Sequence, residues 1–227
     1  MSKNVALICT SASELKGKPT GAWLEEIATP YYTLLDAGYE VSFVSTKGGQ
    51  IPIDAASTQG DFYTPDCVKF MADETAVAAL SSSAALASYD FSSVAGIYIA
   101  GGHGCCVDFY KNPELTKVID AAFADSKPVA ADCHGPVALL SCSKPDGTPL
   151  VAGKRVTGFT DTEEAAVGLT EAVPELIEAA FRGLGADFSK AESDWSPHAV
   201  ADGCLITGQN PASSKACVDL FVAAIAA

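Results

Sequence analysis

Basic residues are scarce in this chain, and long hydrophobic runs are missing from it. Against 28 Asp+Glu stand only 14 Lys+Arg, a formal charge of −14. A surface of that sign repels phosphate backbones and anionic headgroups, which argues against nucleic acid and membrane as partners and reads as a device for solubility. No apolar stretch reaches the ~20 residues of a membrane span. The opening "MSKNVALICTSASELKG" turns polar too early for a secretory signal, so a soluble, cytoplasmic protein is expected. CxxC pairs and clustered His/Cys spacings are absent, which leaves a structural zinc unsupported. The eight cysteines then read as reduced thiols. Cys9, Cys142, Cys204 and Cys217 lie in apolar surroundings and read as small core residues. No repeat and no abrupt change of composition divides the 227 residues, so one domain over 1–227 is expected.

What is present is enough apolar material for a core, 48% of residues against 19% charged. Short β-rich runs alternate with helical segments, the pattern of a mostly parallel sheet covered by helices on both faces. "VALIC" (5–9) and "GIYIAGG" (96–102) read as buried strands and "YEVSFVS" (39–45) as an alternating one. Helices are expected over 22–38, with Pro30 as a kink and Gly38 as the stop, over 67–88, and over 112–127. Asn112 caps the last of these and Pro113 occupies its first position. "PVAAD" (128–132) is a strand and Gly135-Pro136 opens a helix. A small β segment over 150–160, a helix over 174–186, a hairpin turning at Asp202-Gly203 and a final helix capped by Asn210 complete the chain.

Function in an open α/β sheet collects beyond the C-terminal ends of the strands. "PVAADCHGPVALL" puts Cys133 there, at a strand-to-helix turn, with His134 beside it and Gly135 permitting a sharp bend. A helix N-terminus favours the thiolate, and an adjacent imidazole supplies a base. Asp132 is a countervailing charge that strand alternation turns to the other face. "IAGGHGCCVDF" (99–109) belongs to the same crevice, where Gly101 and Gly102 offer amides for an oxyanion and His103 forms a wall. His198 reads as an exposed strand-end residue.

"AGGHG", "DCHGP", "TGFTDTEE" and "LITGQNPAS", in this order, resemble the DJ-1/PfpI superfamily, and within it the heat-shock-protein-31-like branch of glutathione-independent glyoxalases. "TGAWLEEIATPYY" and "VSFVSTKGG" extend the likeness over nearly the whole chain. The resemblance implies a flavodoxin-like α/β sandwich with Cys133 as nucleophile and His134 assisting it. It implies that a protonated Glu26, rather than Glu25, hydrogen-bonds the sulfur. The histidine's acidic partner falls on Glu164, with Glu163 as the alternative. The implied substrate is a small dicarbonyl, methylglyoxal going to lactate and glyoxal to glycolate, with no metal, nicotinamide or glutathione, in a homodimer. The chain departs from the branch at Cys105-Cys106, which stands where a threonine and a large apolar residue are usual; the pair either fills space or is an oxidisable pair at the pocket mouth. Other readings of the same residues are a holdase with a redox-sensing cysteine, a protein deglycase, or a PfpI-type peptidase.

Overall fold

The structure, a computed structural model, describes residues 3–227. β1 (Asn4–Cys9) is followed by a short antiparallel pair, β2 (Glu14–Leu15) and β3 (Lys18–Pro19), then by α1 (Glu25–Asp36) and β4 (Glu40–Ser45). Next come α2 (Pro65–Ala72), α3 (Glu74–Ser81) and β5 (Ala84–Ala85). β6 (Gly96–Ile99) leads through α4 (Cys105–Asp108) and α5 (Pro113–Ala124) to β7 (Val129–Asp132). After a 3₁₀ segment, Gly135–Ser141, come β8 (Arg155–Val156), α6 (Asp161–Val167), α7 (Ile177–Gly183) and β9 (Asp187–Phe188). The hairpin β10 (Ala199–Asp202) and β11 (Leu205–Gly208) precedes α8 (Ser214–Ile225).

Seven strands form the main sheet in the order β10-β11-β7-β6-β1-β4-β5, every pairing parallel except β10 with β11. Alternation along the central strands builds one core on each face. Val5, Leu7, Tyr98 and Ala130 pack with Ile27, Leu34, Val218 and Phe221 of α1 and α8. Ala6, Ile8, Ile97, Ile99 and Ala131 pack with Leu115 and Ile119 of α5. This is the expected α/β sandwich, with helices on both sides of a mostly parallel sheet. From β1 the chain goes out to β4 and β5 on one side, then crosses to β6 and β7 on the other. The sheet's switch point therefore lies between β1 and β6, and a crevice opens above their C-terminal ends.

Several expected elements differ in detail. Residues 67–88 are not one helix. Asp73 accepts hydrogen bonds from the Thr75 and Ala76 amides, which ends α2 and starts α3, and Ala84–Ala85 pairs with β4. The segment after Gly135 is 3₁₀ rather than α. Only Arg155–Val156 of 150–160 is strand. In the hairpin Asp202 pairs with Leu205, so Gly203 and Cys204 are the turn residues, and Cys204 is half-exposed rather than core. α1 continues through Pro30, and Asn112 caps α5 through the Glu114 and Leu115 amides, as the sequence predicts. Among the described residues no helix is long and apolar enough to cross a membrane.

Candidate active site

Cys133 follows β7 directly and has φ +54°, a left-handed conformation that costs an ordinary side chain about 1–2 kcal/mol. Two hydrogen bonds hold it there: its N–H donates to the Gly208 carbonyl at 3.0 Å, and its carbonyl accepts from Phe159 N–H at 3.0 Å. The strained turn aims Sγ away from the strand, toward the crevice. The next turn is equally tight, since a Cβ on Gly135 would stand 2.7 Å from the Ile99 carbonyl oxygen. Cys133 belongs to the core face of Ile97 and Ile99. Asp132 turns to the opposite face, where its Oδ2 accepts from the Tyr98 hydroxyl at 2.8 Å.

Sγ lies 3.3 Å from His134 Nδ1, and His134 Nε2 lies 2.7 Å from Glu164 Oε2. His103 Nε2 reaches the other oxygen of the same carboxylate at 2.9 Å, and the two imidazoles are in ring contact, their centroids 3.9 Å apart. Burial alone would raise the Glu164 carboxyl, but the hydrogen bonds from His103 and His134 overcome it and hold the group at about 2. An ionised carboxylate only accepts, so both Nε2 atoms carry protons. Burial, and then the neighbouring His103, push His134 down to about 4. His134 is therefore a neutral imidazole protonated on Nε2, and the free lone pair on Nδ1 faces the sulfur.

α1 brings Glu26 to the other side of the sulfur. Its carboxyl is fully buried, and neither oxygen has a hydrogen bond of good geometry. The Cys133 thiol and the Gly101 amide are the groups that stabilise its charge. Burial, and next Asp132, push it far above the usual carboxylate range. The same burial, with the Glu26 charge, raises the Cys133 thiol, while the Gly102 amide opposes that rise. Burial raises both acids, so each keeps its proton in the resting site, and the thiol gives up its proton only as it reacts. This corrects the sequence reading: with a short 3₁₀ segment after Cys133, no α-helix dipole supports a thiolate, and the group that favours charge on the sulfur is the Gly102 N–H. Glu25, only half-buried, lies at the outer edge and is raised to about 7 by burial.

Gly101 and Gly102 are required for close packing. A Cβ on Gly102, at φ +99°, would meet the Gly21 carbonyl oxygen and the Trp23 nitrogen at 2.5 Å. Trp23 N–H donates to the Gly101 carbonyl and Gly104 N–H to the Gly21 carbonyl, locking the two loops together. Gly102 and His103 line the crevice. Gly101, expected in the pocket, does not: its backbone forms the floor against which the Glu26 carboxyl rests. His103 is a wall, as expected, and in addition a second donor to Glu164.

Glu164 rather than Glu163 reaches His134. The Glu163 carboxylate closes a capping box with Thr160 and accepts from the Trp195 amide and the Gln209 and Asn210 side chains. Cys105 and Cys106 are buried and fill space, the former donating to the Ala100 carbonyl and the latter packing with Leu15 and Val173. His198 is partly buried against Ser189 Oγ, not exposed. His103, His134 and Glu164 place three ligand atoms within 4.8 Å of one another, donors of the kind zinc takes. These atoms already bond one another, and taking up a cation would require both Nε2 protons to leave.

Above Cys133 is a cavity of about 230 Å³ walled by Trp23, Phe62, Phe159, Trp195, Val167 and Leu169. No residue pattern announces these walls, which come from distant loops.

A model of the DJ-1/PfpI family matches residues 20–224. The chain is 29% identical over 225 residues to the glutathione-independent glyoxalase HSP31 of Saccharomyces cerevisiae, with 93% of each chain covered. It superposes on the crystal structure of glyoxalase III from Candida albicans with a TM-score of 0.89 at 27% identity, covering 97% of this chain and 96% of that one. On the Rapid Encystment Protein 24 KDa of Francisella tularensis it superposes with a TM-score of 0.92 at 32% identity, covering 98% and 99%. With its strained cysteine at the end of β7 and a family match spanning almost its full length, the chain belongs to the DJ-1/PfpI family.

Proposed function

We propose that this protein is a glutathione-independent glyoxalase that converts methylglyoxal to lactate and glyoxal to glycolate. The observation that carries the reading is the unbroken line of contacts from the Cys133 sulfur through His134 to the Glu164 carboxylate, set at the floor of a small apolar cavity. The names of the yeast and Candida relatives support it.

In this scheme the thiol adds across the aldehyde, sulfur to carbon and the thiol proton to oxygen, and the Gly102 amide steadies the charge that develops between the two events. His134 Nδ1 takes a proton from the former aldehyde carbon, and Glu164 stabilises the imidazolium that results. Glu26 supplies a proton to the adjacent carbonyl oxygen, giving an enediol. The imidazolium then returns its proton to the carbon of that carbonyl while the Glu26 carboxylate takes one back from the other hydroxyl, leaving a thioester. Water then releases the hydroxy acid. The sum is substrate plus water, with an internal transfer of reducing equivalents, and every proton carrier belongs to the chain.

The test is hydroxy acid production from methylglyoxal without added glutathione, by wild type and by Cys133→Ser. Wild type forms lactate and the variant, though folded, loses turnover by at least a thousandfold. Retained turnover in Cys133→Ser refutes the scheme. A holdase would keep its suppression of aggregation in the same variant.

A further inference from the structure

We infer that the cavity over Cys133 is shaped for uncharged 2-oxoaldehydes whose second carbonyl bears an apolar group larger than methyl, an aromatic ring above all. This rests on the glyoxalase reading and names the substrate class of that site. The first ground is room. The cavity of about 230 Å³ is larger than the few heavy atoms of methylglyoxal require. The second ground is the wall. Rings follow one another from the reacting atoms outward: Phe159 lies 4.2 Å from the His134 ring, and Trp195 lies 5.7 Å from Phe159. Opposite them Trp23 and Phe62 form an edge-to-face pair at 5.1 Å. At the mouth Phe62 and Trp195 remain 45% and 40% exposed, large apolar surfaces that a bound ring would cover.

The third ground is charge. Among the described residues that line the cavity there is no lysine or arginine, and Asp54 is its acidic member. A dicarbonyl bearing phosphate or carboxylate meets repulsion and finds no counter-ion there. An aryl group needs neither.

With phenylglyoxal as the probe the chemistry balances. A C–S bond forms at the aldehyde carbon, a proton leaves that carbon, and one returns to the ketone carbon. The aldehyde carbon is oxidised to the thioester and the ketone carbon is reduced to the carbinol. Water then breaks the C–S bond, giving mandelate and the free thiol, so that product equals substrate plus one water.

Initial rates of hydroxy acid formation are measured for methylglyoxal and phenylglyoxal, without glutathione, in wild type, Phe62→Ala and Ala56→Phe. Ala56 also lines the cavity, and a ring there fills it. In wild type kcat/KM for phenylglyoxal exceeds that for methylglyoxal at least tenfold, the lower end of what one hydrophobic increment contributes in an apolar pocket. Both variants lower that ratio at least threefold, one by removing wall and the other by removing space. A wild-type ratio short of tenfold, or one that both variants leave as it was, overturns the inference. Turnover of methylglyoxal alone overturns the inference and spares the glyoxalase reading; turnover of neither aldehyde overturns both.

Discussion

Glu164→Gln is the sharpest probe of the hydrogen-bond line, because it changes charge and donor count while nearly preserving shape. In the native site one carboxylate accepts from two Nε2–H groups, at 2.7 Å from His134 and 2.9 Å from His103. Glutamine offers one acceptor and one donor, so one histidine loses its partner and must move its proton to Nδ1. If that histidine is His134, Nδ1–H then points at Sγ, 3.3 Å away, and the base is lost. If it is His103, His134 keeps its bond, but its imidazolium loses the charge that stabilises it. A hydrogen bond to a charged partner contributes about 1.5–3 kcal/mol and a positioned general base about 10²–10⁴ in rate. A fall in kcat of roughly 10²–10³ is therefore expected. Lactate formation from methylglyoxal near pH 7.5 reads the rate, and circular dichroism with urea titration shows that the fold persists. A kcat within fivefold of wild type, in a folded variant, would refute the argument.

Other perturbations act through groups around the same loop. Asp132 is held at about 7 by burial, against an ordinary 3.8, so the unfolded chain releases this proton first and the folded state is penalised as pH rises. At 1.36 kcal/mol per pH unit the buried anion is unfavourable by about 4 kcal/mol above pH 7, and the penalty vanishes below the unfolded value. Asp132→Asn should then be about 2–4 kcal/mol more stable than wild type in urea at pH 8 and indistinguishable at pH 4, allowing for a weaker bond to Tyr98; equal differences at both pH values would refute the account. Gly102→Ala puts a Cβ 2.5 Å from the Gly21 carbonyl oxygen at a positive φ, and should cost roughly 3 kcal/mol in urea titration and lower turnover, since the Gly102 amide shifts with the loop. Asn112→Ala, remote from the crevice, removes two cap hydrogen bonds and should lower stability by about 1 kcal/mol, or Tm by roughly 2–4 °C, with kcat unchanged.

The parts of the structure legible in sequence were those in which one residue type has one local use. Asn112-Pro113 announces the start of α5, continuous apolar runs announce β1 and β6, and the crowding of Cys133, His134, Gly135 and Pro136 announces a sharp turn after β7. The break at Asp73 was hidden because an aspartate within a helical stretch is ambiguous until its side chain is seen capping α3. The choice between Glu163 and Glu164 depended on which residue capped the helix. Thr160 and Glu163 form a capping box, which spends Glu163 on the backbone and frees Glu164 for the histidines. The aromatic walls were not legible at all: Trp23, Phe62, Phe159 and Trp195 lie far apart in the chain, and only the closure of four loops brings them together.

Local rules are obeyed over most of the molecule, and the buried polar groups that break them gather at one place. Buried side-chain polar atoms without a partner belong to Trp23, Glu26, Asp132 and Thr157 among the described residues. The first three lie in or beside the loops that enclose Cys133, and Thr157 directly follows β8, two residues before Phe159, whose N–H donates to the Cys133 carbonyl. Cys133 itself has a left-handed backbone, as do Trp195 in the cavity wall and the exposed Lys16, Lys111 and Ser126. Well-capped helices and two continuous cores supply stability elsewhere, and that surplus lets one turn hold a strained thiol between a buried carboxyl and a neutral imidazole. A purely structural turn would be relieved by giving Asp132 an amide and residue 133 a glycine. Such a chain should fold more firmly and leave an aldehyde untouched, because the groups that burden the fold are the ones that set where the proton resides.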